Sequence, residues 1–210
     1  MRRAKTGLLL AVCAAAALCL TALPAAASPT VLGPTGLLAT PNADTEAMTD
    51  LQLGGWWVQD GGESVSLTGG GGFNGEGNIT WLNPEAGGDE ILFSSKWRFR
   101  QSNVTQPAIA IGLIDVTDRI DLTPYIVVQK GFDFAGFGVT ASAGYAKPDS
   151  LLDGFFGGAD VKLADKLHLL GEYDGNDVNA GVRLPLGDDL EVTAGMISDE
   201  FAASAMYRIR

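Results

Sequence analysis

Cysteine is almost missing from this chain of 210 residues: there are two, Cys13 and Cys19, and both fall within the first 27 positions. From Ser28 onward neither a disulfide nor a thiolate-bound metal can hold the fold together. Histidine is scarcer still. His168 is the single one, which excludes a His-rich metal site and leaves any Ser-His-Asp system resting on one residue. No G-x-S-x-G elbow accompanies it, so an enzyme is not expected. Basic charge is also short. Without Arg2, Arg3 and Lys5 the chain carries 11 basic against 25 acidic side chains, a net of −14, which excludes nucleic acid as a partner because binding there needs Lys and Arg to neutralise phosphates. Past the first segment no apolar run exceeds about eight residues, so no transmembrane helix is expected. No window holds a helical stripe either.

The first segment reads as an export signal. Arg2, Arg3 and Lys5 precede an apolar run from Gly7 to Leu23, followed by Pro24 and by Ala25-Ala26-Ala27 before Ser28. That order predicts a signal peptide over 1–27, cleaved before Ser28. A lipid anchor would need a cysteine at the cleavage site with a small residue before it, whereas Val12 and Leu18 precede the two cysteines. Residues 28–50 lack any alternation and read as an irregular lead-in.

From residue 51 to 210 the dominant signal is period 2. In Ile91 to Arg100, Ile91, Phe93, Trp97 and Phe99 oppose Ser94, Lys96, Arg98 and Arg100; Phe137 to Tyr145 and Asp177 to Leu186 behave alike. Successive side chains of a strand point to opposite faces, so each segment is a ribbon with one apolar and one polar or small face. About twelve such strands fit, joined mostly by short Gly-, Asp-, Asn- or Pro-containing turns. The fold class expected is all-β: an antiparallel up-and-down transmembrane β-barrel of about 12 strands over 51–210. Strand lengths near ten residues suit a tilted crossing. Trp57, Trp81, Trp97, Tyr145, Tyr173, Phe201 and Tyr207 sit toward strand ends, as interfacial girdles do. An Arg facing lipid at the midplane costs about 2–4 kcal/mol, so Lys96, Arg98 and Arg183 are expected to point inward. A secreted or periplasmic soluble β-barrel or sandwich that binds a ligand or partner shows the same period and is the competing reading.

Two stretches carry polar groups densely enough to test for chemistry. Gly69 to Gly77 contains G-x-G-x-x-G, but a strand rather than a helix follows, so it reads as a flexible hairpin loop and not as a nucleotide site. In HLLGEYDGNDVNAGVRLPL, His168 to Leu186, a two-residue turn at Gly175-Asn176 would set Asp174 opposite Asp177, Glu172 opposite Asn179 and His168 opposite Arg183, all on one face. That register sorts polar from apolar, and a one-residue slip would destroy the sorting. His168, Glu172, Asp174, Asp177, Asn179 and Arg183 are thus the candidate lumen polar network. Calcium would accept such oxygens, yet the spacing is no EF-hand loop. A structural network with Arg183 as counter-charge and a polar-ligand contact remain alternatives, and neither metal nor cofactor is expected.

Gly33-Pro-Thr-Gly-Leu-Leu-Ala-Thr-Pro41 resembles the G-x-T-G-L-x-x-T-P opening of YjbH-like proteins. IAIGLIDV at 109–116, VVQKGF at 127–132, LLDGFFGGADVKL at 151–163 and LLGEYDGNDVNAGVRLPL at 169–186 follow that family's order and spacing. The resemblance spans most of the chain after residue 27. It implies an outer-membrane barrel in a Gram-negative-type envelope, with outer-membrane lipid as one partner. Polysaccharide or polysaccharide-export proteins are the others, through the family's association with exopolysaccharide and capsule production. Familiar members are several times longer, and this chain ends Tyr207-Arg-Ile-Arg210 where barrels commonly end in an aromatic residue. Both departures bear on the polysaccharide role more than on the fold.

Overall fold

The structure, a computed structural model, describes residues 28–84, 87–134, 137–163 and 167–210; the expected signal peptide lies outside them. Its strands are β1 (Leu51–Val58), β2 (Gly62–Gly71), β3 (Gly75–Asn83), β4 (Glu90–Arg100), β5 (Ala108–Ile114) and β6 (Thr123–Phe134), then β7 (Phe137–Ala146), β8 (Phe155–Leu163), β9 (Leu167–Tyr173), β10 (Val178–Pro185), β11 (Leu190–Ile197) and β12 (Glu200–Ile209). Each strand pairs antiparallel with its sequence neighbours. β1 then closes on β12, with Leu51 opposite Ile209 and Val58 opposite Ala202. Closure leaves no open edge, so the ladder satisfies the backbone groups all the way round.

Two local expectations differ from what is observed. The glycine-rich run is mostly strand: Gly69, Gly70 and Gly71 pair with Gly77, Glu76 and Gly75. Only Gly72-Phe73-Asn74 forms the turn, with Phe73 and Asn74 at φ 61° and 60°. β6 runs on to Phe134, beyond the strand over 121–130 that the alternation predicts, because Gly131 and Asp133 stay in register with Thr140 and Gly138 of β7.

Alternation sets the two faces of the wall. Leu53, Leu67, Ile79, Phe93, Ile126 and Val128 point outward, each 38–47% exposed, while Gln52, Thr68, Asn78, Ser94 and Gln129 point inward and are buried. An apolar surface of this extent marks a lipid-facing protein. The outward aromatics gather in two rings. Trp57, Trp81, Tyr145, Phe155, Tyr173 and Phe201 lie toward one end of the barrel, and Trp97, Phe99, Phe132, Phe137 and Tyr207 toward the other, where β1 begins and β12 ends. Trp57 packs on Phe201 at 6.1 Å and Tyr145 on Phe155 at 4.9 Å. A band bounded by two aromatic girdles is the outer surface of a transmembrane barrel. Lys130 faces outward as well, but its ammonium reaches back to the carbonyls of Asn103, Val104 and Gln106, as a snorkelling lysine does.

Among the connections, 115–122 is wound around Asp115. Its carboxylate accepts the Ile120 and Asp121 N–H groups at 2.7 and 3.1 Å and the Thr117 hydroxyl at 3.0 Å. Burial pushes this carboxyl up, but the N–H groups of Ile120, Arg119 and Asp121 and the Thr117 hydroxyl outweigh burial and hold it below its ordinary value.

Candidate functional site

A barrel of this size has a lumen wider than its own inward side chains fill. Residues 28–46 fill it here. Leu37, Leu38, Ala39, Thr40, Asn42 and Ala43 are all buried, although none belongs to the wall. The segment enters beside Glu191 near the start of β11, where the Ser28 hydroxyl donates to that carboxylate at 2.5 Å. It crosses β1, where Trp56 Nε1 donates to the Pro29 carbonyl at 3.1 Å, and doubles back through bridges between Pro29 and Thr35 and between Gly36 and Pro41. It returns past β6, where the Ala43 N–H donates to Gln129 Oε1 at 2.8 Å, to meet β1 again.

Two further wall carboxylates hold this plug. Glu172 of β9 accepts the N–H groups of Leu38, Ala39 and Thr40 at 3.1, 2.7 and 3.2 Å and the Thr40 hydroxyl at 2.7 Å. Glu76 of β3 accepts the Thr35 N–H at 2.9 Å, the Thr35 hydroxyl at 2.7 Å and the Glu46 N–H at 3.2 Å. Successive N–H groups converging on one carboxylate form an anion-binding concavity in the plug. Such charge-assisted bonds are about twice as strong as neutral ones. Two wall cations take the plug's carbonyls. Lys96 Nζ donates to the Thr35 carbonyl at 2.8 Å and to its hydroxyl, and stands 3.5 Å from Glu76. Arg183 donates to the Gly36 and Leu37 carbonyls at 3.2 and 2.8 Å.

Apolar contacts complete the seat. Leu37 and Leu38 belong to one cluster with Trp56, Leu170, Ile197 and Ala202. Ala43 belongs to another, with Tyr125, Val127, Leu152 and Phe156. The glycines of Gly33-Pro-Thr-Gly36 are required by closeness. A Cβ at Gly33, where φ is +107°, would sit 2.1 Å from Asn78 Oδ1 and from Thr80 Oγ1; one at Gly36 would sit 2.1 Å from the Thr40 carbonyl oxygen.

The hairpin of β9 and β10 has the register read from the sequence, with Glu172 opposite Asn179 and Arg183 opposite His168. His168, Glu172, Asn179 and Arg183 are buried on the lumen wall. Asn179 Nδ2 bridges Glu172 at 3.1 Å and Asp174 at 2.8 Å. Asp174 is half-buried at the rim, and its Oδ1 caps the turn by accepting the Asn176 and Asp177 N–H groups at 3.0 and 2.9 Å. Asp177 does not join the network: it is exposed beyond the last ladder pair, because the sheet ends at Tyr173 and Val178. Arg183 balances different carboxylates from those in its hairpin, Glu191 at 3.3 Å and Asp160 at 3.8 Å, and His168 Nδ1 lies 2.8 Å from Asp160. Among the described residues no group of three or more His, Cys, Asp or Glu is placed to hold a metal ion.

No family model matches the chain, and no curated protein sequence does. Solved structures do. The KdgM porin is similar over 77% of this chain and 99% of its own, at a TM-score of 0.50 and 9% identity. A KdgM porin in complex with disordered oligogalacturonate is similar over the same shares, at 0.50 and 10%. The fold is porin-like. At this identity the likeness concerns architecture, a closed lipid-facing barrel, and what the lumen does must come from its own residues.

Proposed function

We propose that this chain is an outer-membrane barrel of a Gram-negative-type envelope, held shut by its own N-terminal segment, and that it serves polysaccharide production or export as a gated channel or scaffold. The observation that carries this reading is the seating of residues 33–41 on Glu172 and Glu76. The stretch that resembles the opening of YjbH-like proteins is the stretch that fills the lumen, so the resemblance falls on a working part. Its partners are then outer-membrane lipid on the outside and, on the polysaccharide side, a saccharide or an export protein that relieves the plug. A soluble binding protein fits poorly, because its outer face would leave two aromatic rings and the apolar band between them in water.

Planar-bilayer recordings on the purified chain test the reading. The native protein should be nearly silent. A full-length variant with residues 33–41 replaced by an equal run of Gly and Ser should conduct. A native chain that conducts freely, or a replaced chain that stays silent, would refute the gated lumen. Recovery of the protein in the soluble periplasm, without heat-dependent mobility on gels, would refute the envelope barrel itself.

A further inference from the structure

Glu172 is 4% exposed and accepts five hydrogen bonds, four from residues 38–40 of the plug and one from the wall, from Asn179 Nδ2. A buried carboxylate stripped of most of its donors is strongly destabilised. Whatever occupies the lumen after the plug leaves must therefore bring donors to Glu172. The surroundings narrow what that occupant can be. Asn179, which also accepts the Ser198 N–H at 2.9 Å, stands beside Glu172 on the wall. Trp56 and Leu170 belong with Leu38 to one buried apolar cluster.

A sugar ring meets both demands at once. Its hydroxyls donate to Glu172 as the plug's N–H groups and the Thr40 hydroxyl do. Its C–H face joins the apolar cluster of Trp56 and Leu170 in place of Leu38. A uronate ring meets only one of them, because its carboxylate would approach Glu172 and the nearby Asp174, and like charges in a desolvated site repel strongly. We propose that Trp56, Glu172 and Asn179 form a subsite for uncharged sugar rings, and that the plug tip Leu37–Thr40 is its built-in competitor. The inference rests on the reading of a removable plug, and it separates this lumen from that of the porin-like neighbour holding oligogalacturonate.

The test uses the full-length Gly/Ser plug variant in planar bilayers, with a neutral β-glucan hexasaccharide and an oligogalacturonate of equal length. The neutral hexasaccharide is expected to block current at concentrations where the oligogalacturonate does not. Adding Glu172→Gln should cut the preference for the neutral sugar by about tenfold, the value of one charge-assisted hydrogen bond. In the native chain the neutral sugar should speed amide exchange at residues 38–40. Equal block by both saccharides, or a preference unchanged by Glu172→Gln, would overturn the subsite while leaving the plug intact. Conduction without block by either sugar would do the same. A variant that never conducts would remove the plug reading, and the subsite with it.

Discussion

Replacing Glu172 by Gln keeps the side chain's size and removes its charge. The amide retains one carbonyl oxygen, so it can still accept from the Thr40 hydroxyl and one N–H, but its NH2 now faces donors it cannot satisfy. The carboxylate receives three N–H groups and one hydroxyl from the plug. Hydrogen bonds to a charged group contribute about 1.5–3 kcal/mol each, and breaking a buried charged contact by altering one partner costs about 3–5 kcal/mol. Loss of two such bonds gives roughly 3–5 kcal/mol by the same values, which is a factor of about 100 to 5,000 in the equilibrium for plug opening. Amide hydrogen exchange on the membrane-embedded protein reads this directly, since opening of a segment governs exchange of its buried N–H groups. Exchange at Leu38, Ala39 and Thr40 should accelerate by about that factor, while β5 and β6 exchange as before. An acceleration below about threefold, under 1 kcal/mol on the same scale, would refute the assignment of Glu172 as an anchor.

The glycine that permits close approach gives a second test: Gly33→Ala places a methyl against Asn78 and Thr80 at a positive φ, so its plug should unseat and bilayer conductance should rise above the native level. On the outer face, Leu67→Arg should cost about 2–4 kcal/mol of folding free energy in vesicles, read from urea titrations of the reconstituted barrel; a variant as stable as the native chain would place that face away from lipid. For the connection 115–122, the depressed carboxyl of Asp115 contributes stability above the ordinary Asp value near 3.9, and that contribution fades as pH falls through its lower folded value. Asp115→Asn should therefore melt below the native protein at pH 7, and the gap should narrow at pH 2, when melting is followed by circular dichroism.

The barrel was legible because alternation is clear in strands such as β4, β7 and β10. Ile91 to Arg100 alone shows which way Lys96 and Arg98 must turn, and both do turn inward. The β9–β10 register was legible for a sharper reason: one slip would mix Val182 and Leu184 with Arg183. The plug was not legible. Alternation describes a wall with two different sides, whereas residues 28–46 are surrounded by protein on all sides and carry no period at all. Glu76 lies in a glycine-rich run that reads as a loop, so nothing local marks it as an anchor. The partners of Arg183 were hidden for another reason. Glu191 lies on β11, paired with β10 on its other side, and Asp160 lies on β8, two strands away, so the register of the β9–β10 hairpin alone does not reach them. Asp177 was grouped with Glu172 by parity, but parity holds only while the ladder continues.

The absence of cysteine after Cys19 allows a direct test of where the N-terminal segment lies. Ala43→Cys and Met48→Cys would each be the only thiol past residue 27, at positions that are fully buried and 73% exposed in the native chain. With the barrel in lipid vesicles, a water-soluble maleimide should label Met48→Cys readily and leave Ala43→Cys unlabelled until the protein is denatured. Equal labelling of both in the folded barrel would contradict a lumen filled by its own N-terminal segment.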